Sequence, residues 1–401
     1  MVKQLSKIEQ LISELCPNGV AFKMLGEVTK YSKQRIEASK LDNSNYVGVD
    51  NLLQNKQGKK ISSYVPKLGK LTKFNKGDIL IGNIRPYLKK IWLSDCIGGT
   101  NGDVLVIQIN DKQKLSSEFL YYLLSSDDFF NFDMKFAKGA KMPRGNKDSI
   151  LKYKIPVPAL AIQEEIVTIL NSFTELEAEL EAELEARKKQ YNYYRDDLMS
   201  IKNVEYKALR EIGELIRGNG LQKKDFTETG VGCIHYGQIY TYYGTFADRT
   251  KTFVSSELAK KLKKAQKGDV LIAGVSENIE DICKPLGWLG DEICISGDMF
   301  AFRHKQNTKF ITYLLQTTNF HKYKERYAQG AKVTRVKTTK ILDYKIPVPL
   351  IEEQERIVSI LDKFEALVND ISIGLPAELN ARRQQYEYYR TKLLTFNEYV
   401  G

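Results

Sequence analysis

The sequence is poor in the side chains that most enzymes use for chemistry. It holds three histidines and five cysteines in 401 residues. The histidines, His235, His304 and His321, are scattered through the C-terminal half. The cysteines are Cys16, Cys96, Cys233, Cys283 and Cys294. Their number is odd and no CxxC pair occurs, which argues against a zinc ribbon and fits a reducing cytoplasm. No apolar run approaches the roughly 18 residues of a membrane span. The opening segment, MVKQLSKIEQLISELC, is amphipathic and lacks the continuous apolar core of a signal peptide. Walker A, HExxH and GxSxG patterns are missing, as is a DPPY-like methyltransferase tetrapeptide. These absences point to a cytoplasmic chain that binds rather than catalyses, with no catalytic and no metal-ligating residues.

Positive charge is what the chain has in excess. Its 61 lysines and arginines against 50 acidic residues give a net charge of +11. Such a balance is a physical hint of a polyanionic partner. The hydrophobic fraction of 42% supports packed cores, and the length allows two or three domains.

The second abundant feature is internal repetition. KIPVP occurs at 154–158 and again at 345–349, an offset of 345 − 154 = 191. At the same offset QEEIVTILNSF (163–173) matches QERIVSILDKF (354–364), and FAKGAKMPR (136–144) matches YAQGAKVTR (327–335). FLYYLL (119–124) matches FITYLL (310–315), and GDILI (77–81) matches GDVLI (268–272). RKKQYNYYR (187–195) matches RRQQYEYYR (382–390) at an offset of 195. LGEV (25–28) resembles IGEL (212–215). Between these islands the copies diverge, as in 29–76 against 216–267. A common scaffold with two different readers has this appearance.

Each copy opens with a mixed region. VLVIQI (104–109) and DILI (78–81) read as strands from their branched residues. Gly98, Gly99, Asn101 and Gly102 read as turns, and 116–136 reads as one helix. The two prolines of IPVP forbid helix and favour extended chain. A long helix follows. Its apolar residues in copy one are Ile162, Ile166, Ile169, Phe173, Leu176, Leu180, Leu184, Tyr191, Tyr194 and Leu198. In copy two they are Ile357, Ile360, Phe364, Leu367, Ile371, Leu379, Tyr386, Tyr389 and Leu393, with a kink or break expected at Gly374 and Pro376. A narrow apolar stripe needs a partner helix, and the other copy supplies one.

The expected fold is therefore α+β. Two globular mixed domains are joined by two long antiparallel coiled-coil helices with pseudo-twofold symmetry. The expected domains are 1–158 with a short N-terminal helix, 159–201 as the first long helix, 202–349, and 350–401 as the second long helix.

These islands resemble a known family. IPVP with a Gln-Glu helix, a Leu-Glu-rich stretch and YxYYR resembles the conserved regions of type I restriction-modification specificity subunits. ISELCPNGVAFKMLGEV is similar to that family's N-terminus. The resemblance spans both conserved helices and the start of each copy, about a third of the chain. It implies a DNA-recognition subunit whose variable domains each read half of a split, asymmetric site. It implies two methyltransferase subunits and restriction (translocase-nuclease) subunits as partners. S-adenosylmethionine, ATP and Mg²⁺ would then belong to those partners, with no cofactor in this chain. A coiled-coil scaffold joining two protein-binding heads and a stand-alone DNA binder are the alternatives. Only the scaffold predicts no salt-sensitive DNA affinity.

DNA contacts need Lys and Arg for phosphates, and Arg, Lys, Asn or Gln for base edges. Copy one offers Lys33, Arg35, Lys56, Lys59, Lys60, Arg85, Tyr87, Lys89, Lys90, Lys138, Lys141, Arg144 and Lys147. Copy two offers Lys223, Lys224, Arg249, Lys251, Lys332, Arg335 and Lys337. Lys141 and Arg144 recur as Lys332 and Arg335 after a Gly-Ala, where the glycine would let backbone approach phosphate. The loop with Glu277, Glu280 and Asp281 is acidic where copy one is basic. Carboxylates repel phosphates yet accept from the cytosine amino group, and the simpler expectation is a loop facing away from DNA. Tyr191, Tyr193 and Tyr194 recur as Tyr386, Tyr388 and Tyr389. Tyr193 and Tyr388 fall off the apolar face and are candidates for meeting the methyltransferase subunits, or for simple packing.

LEAELEAELEAR (176–187) repeats every four residues. Four helical residues span about 6 Å, close to two base-pair rises. Deleting one LEAE unit is expected to shorten the unread spacer in the methylated sequence. Methylome sequencing that returned an unchanged spacer would refute this.

Overall fold

The computed structural model describes residues 2–330, 332–370 and 372–399. Ile371, one of the expected apolar helix positions, lies outside the described residues. The IPVP segments stay extended, as two prolines in four residues require. Lys154–Pro156 pairs antiparallel with Phe22–Met24, and Lys345–Pro347 pairs in the same way with Tyr206–Ala208. Each ribbon ties the start of a copy to the foot of its long helix.

The chain divides into two compact units, Met1–Ala178 with Ala381–Gly401, and Glu179–Asn380. In the first, an antiparallel sheet runs in the order Thr29–Tyr31, Val104–Ile109, Ile79–Gly82, Ile91–Leu93. A second sheet runs Arg35–Glu37, Lys70–Phe74, Gly98–Thr100, Tyr46–Val47, its last pair parallel. The second unit repeats this plan. Gly213–Arg217, Met299–His304, Val270–Ala273, Pro285–Trp288 and Phe246–Ala247 form one sheet. Thr252–Val254, Val231–Ile234, Ile293–Ile295 and Lys264–Ala265 form the other, again with one parallel pair. The segments that share almost no sequence thus keep a common frame, a parallel and an antiparallel neighbour on either side of Gly98–Thr100 or Ile293–Ile295, while the fourth strand joins opposite edges in the two units and Phe246–Ala247 extends only the second unit's first sheet.

The GD turn before the Ile79 and Val270 strands has a simple cause. Gly77 and Gly268 take φ of +87° and +96°, which suits glycine. The next residue, Asp78 or Asp269, is buried and accepts the backbone N–H three positions back, at 2.8 Å in both copies. Two local expectations change. Gly98 and Gly99 lie in a strand, where glycine is needed for close approach: a Cβ on Gly98 would sit 2.0 Å from the Asn45 carbonyl. The expected single helix over 116–136 is two, Ser117–Leu124 and Asp127–Phe136. Ser126 ends the run by accepting from Phe129 N, capping the second helix.

The first long helix is continuous over Leu160–Leu198. Ile162, Ile166, Ile169, Leu170 and Phe173 bury into the first unit's core. Each such side chain contributes about 1.5–3 kcal/mol, enough to hold the helix against its sheet. Leu176, by contrast, is 46% exposed, so the stripe does not stay buried through the Leu-Glu repeats. The second long segment is broken as expected, into Ile351–Asn369 and Leu375–Leu394. Pro376 falls in the first turn of the latter, where its missing N–H is tolerated.

The copies exchange aromatic residues. Within the first unit Phe173 stacks on Tyr389 at 5.6 Å, and Glu177 pairs with Arg383 at 2.6 Å, so these helices run antiparallel. Within the second unit Phe364 stacks on Tyr194 at 5.5 Å. Each Gln-Glu helix therefore meets the YxYYR tyrosine of the other copy. Arg195 and Arg390 are buried, lying over Tyr191 and Tyr386 at 5.5 and 5.7 Å. Tyr122 and Tyr313 bind the same helices from each head, through Asn171 at 2.5 Å and Asp362 at 2.7 Å.

Candidate nucleic-acid interface

In both units the residues flanking the recurring Gly-Ala-Lys pair as a small hairpin. Lys138 and Arg144 exchange backbone hydrogen bonds of 2.9 and 2.8 Å, and Gln329 and Arg335 do so at 2.9 Å each. The glycines make this turn possible. Gly139 and Gly330 take φ of +108° and +116°, and a Cβ on Gly330 would meet the Val333 carbonyl at 2.1 Å. Their first duty is conformational, whatever else approaches them.

Each hairpin docks against the loop that follows the GD strand. Arg85 N donates to Pro143 O at 2.7 Å; Ser276 N donates to Thr334 O at 3.1 Å. Pro143 and Thr334 are repeat equivalents, so Arg85 and Ser276 occupy one framework position. Thr334 also returns a bond to Ser276 O at 2.7 Å, which proline, lacking an N–H, cannot do. Arg85 itself is left-handed, with φ +53°. That conformation is unfavourable for a non-glycine residue, and the surrounding bonds impose it.

This junction gathers part of the expected set. In the first unit it brings together Arg85, Tyr87, Lys138, Lys141 and Arg144, all exposed, with exposed Lys147 just beyond. Arg144 is partly engaged by Asp103 at 3.3 Å. In the second unit it places Lys332, Arg335 and Lys337, also exposed. Arg335 and Lys337 share a cleft of about 590 Å³ with Arg217 and Val333. Arg217 was missed in the sequence because it stands apart from other cations, at the end of the short strand Gly213–Arg217.

Other candidates are tied elsewhere. Lys56 and Lys89 both pair with Asp127, at 3.2 and 2.9 Å, and Lys56 also faces Glu387 at 3.8 Å. Lys59 donates to Ser44 O and lies over Trp92, 4.9 Å from its centroid. Lys90 donates to Val49 O at 2.7 Å, and burial lowers its pKa. Lys60, Lys33 and Arg35 are exposed, Arg35 reaching Thr72 Oγ1 at 2.8 Å. Lys223, Lys224, Arg249 and Lys251 are exposed, Lys251 over Tyr242 at 4.3 Å. Tyr193 and Tyr388 are 68% and 64% exposed. Among the described residues no three His, Cys, Asp or Glu side chains gather to hold a metal ion.

One position behind each junction was not foreseen. Asp133 and Lys324 are repeat equivalents, and both are buried. The Lys324 ammonium donates to Glu280 O and Ile282 O at 2.7 and 2.6 Å, anchoring the loop. Asp133 has no hydrogen-bond partner on either oxygen, and neither does the nearby Asn83 Oδ1. A Cβ on Gly145 would lie 2.5 Å from the first and 2.8 Å from the second. Burial pushes the Asp133 carboxyl up from 3.8 to about 6. Because the folded value is raised, the unfolded chain releases its proton first, and stability falls as pH climbs from about 4 to above 6. Asp133→Asn removes that penalty. It is expected to raise the first unit's unfolding free energy by about 3 kcal/mol at pH 8 and hardly at all at pH 4. Urea titrations of both proteins at the two pH values test this.

Comparison with known proteins converges on one family. The type I restriction modification DNA specificity domain matches residues 17–186 and 201–381. The type I restriction enzyme EcoR124I/EcoR124II specificity subunit of Escherichia coli is 34% identical over 299 residues, covering 71% of this chain and 72% of that protein. A putative type I restriction enzyme specificity subunit of Haemophilus influenzae is 33% identical over 309 residues, covering 72% and 74%. A chain from a type I R-M system structure superposes with a TM-score of 0.63 at 20% identity, over 95% of this chain and 98% of that one. The S subunit from M. genitalium gives 0.52 at 16% identity, over 94% and 96%. The two structures support the fold alone.

Proposed function

This chain belongs to the family of type I restriction-modification specificity subunits, and on that footing we propose that it reads a bipartite, asymmetric DNA site. One observation carries the reading. The same basic hairpin, in both units, clamps a loop whose sequence differs between them. The hairpin cations suit phosphate, which sets register and affinity without sequence information. The clamped loops differ, so each unit selects its own half-site.

The chain itself supplies no catalysis. Two methyltransferase subunits dock on the long helices, with exposed Tyr193 and Tyr388 as repeat-related contact points. Restriction subunits join that complex. S-adenosylmethionine, ATP and Mg²⁺ belong to those partners, and the assembly works in the cytoplasm. All five cysteines are free thiols, consistent with a reducing compartment.

The test is to co-express the chain with its genomic neighbours and to sequence the host's methylated adenines. The expected result is one motif of two short specified halves around an unspecified spacer. Methylation without a bipartite motif, or DNA affinity indifferent to salt, would overturn the reading.

A further inference from the structure

The loop clamped by the hairpin is where the two heads carry opposite charge. The first unit presents Arg85 there, and the second presents Glu277, one residue beyond the position equivalent to Arg85. The second unit's three loop carboxylates have different settings. Asp281 accepts from Asn278 Nδ2 at 2.8 Å. Glu280 and Asp281 both line a cleft with Lys188 and Arg195, so they turn toward the helices of their own unit. Glu277 is exposed, with no hydrogen bond or ion pair among the described residues.

The hairpin that holds Glu277's loop carries Lys332 and Arg335, both exposed. The loop is also not loose. Its backbone is bonded to Thr334 in both directions, and the buried Lys324 ammonium fixes its far side. A carboxylate held out from a basic surface repels phosphates unless it meets a donor. In the major groove the cytosine 4-amino group is a donor that a carboxylate accepts well, while guanine offers only acceptors there.

We propose that Glu277 reads a cytosine in the half-site bound by the second unit, accepting a hydrogen bond from its 4-amino group. This rests on the bipartite DNA-recognition reading above. The chain is co-expressed with its modification subunit as wild type, Glu277→Gln and Glu277→Ala, and methylated motifs are sequenced. In vitro, the purified complexes are titrated with duplexes in which each C·G pair of the wild-type motif is replaced in turn.

Wild type is expected to show a cytosine in one half-site. Glu277→Ala should make that position degenerate, with discrimination falling roughly ten- to a hundredfold. Glu277→Gln, whose amide suits adenine N6 and N7, should move the preference toward A·T at that position alone. The other half-site should not change. Identical motifs in all three proteins would overturn the proposal and leave the bipartite reading intact. A wild-type complex with no bipartite motif would overturn both. Should a variant complex methylate nothing, its duplex titration decides: lost affinity for every duplex alike contradicts a base-specific role.

Discussion

Gln163→Leu is expected to lower the first unit's unfolding free energy by about 3 kcal/mol, and Gln354→Leu to do the same in the second. The glutamine that opens each Gln-Glu helix is fully buried. Gln163 Oε1 accepts from Ser116 N at 2.8 Å, and its Nε2 donates to Lys114 O and Pro158 O at 2.9 and 2.7 Å. Gln354 accepts from Asn307 N at 3.0 Å and donates to Gln306 Oε1 and Pro349 O at 2.8 and 2.9 Å. One side chain thus joins the end of IPVP, the start of the long helix and the entry to the FLYYLL or FITYLL helix. Leucine fills the volume but leaves backbone groups buried without partners, which costs about 1–3 kcal/mol per group before relaxation. The neighbouring Glu164 is exposed, and Glu164→Leu should change stability by less than about 0.5 kcal/mol. Denaturant titration of the three variants decides the matter. A loss below about 1 kcal/mol in Gln163→Leu would show that the clamp is dispensable.

This clamp also marks how far sequence reasoning reaches. The spacing of IPVP and Gln-Glu was visible, and so was the long helix, because proline placement and apolar period are local signals. That the glutamine is buried was not visible, since its partners at 114–116 and 306–307 are far along the chain. The same limit hid the second sheet of each head. Its strands are two to five residues long and its sequences diverge, so neither alternation nor repetition betrays them. Among the candidate DNA contacts, charge and loop position were legible. Engagement was not: Lys56 and Lys89 look as free as Lys141 until Asp127 is folded against them. Recurrence pointed to shared structure: Lys141, Arg144, Lys332 and Arg335 all lie exposed at the hairpins.

Lys324→Met should destabilise the second unit by about 2–4 kcal/mol and release its recognition loop. Lys324 is 6% exposed, and burial lowers its pKa, yet its ammonium satisfies two loop carbonyls at once. Methionine matches the stem in volume but offers no donor, so Glu280 O and Ile282 O lose their partner. Hydrogen exchange over residues 276–285 should accelerate, and selectivity in that half-site should weaken before the other half is affected. The first unit provides an internal control of opposite sign. There the equivalent Asp133 is a buried acid without a partner, and neutralising it should stabilise the fold. The same helix position thus anchors one loop and burdens the other. If Lys324→Met and Asp133→Asn shifted stability at pH 8 in the same direction, the assignment of these roles would fail. Divergence between the copies would then be confined to the surface. The expected opposite shifts would place it also in the buried residues that position each loop, beneath the residues proposed to touch DNA.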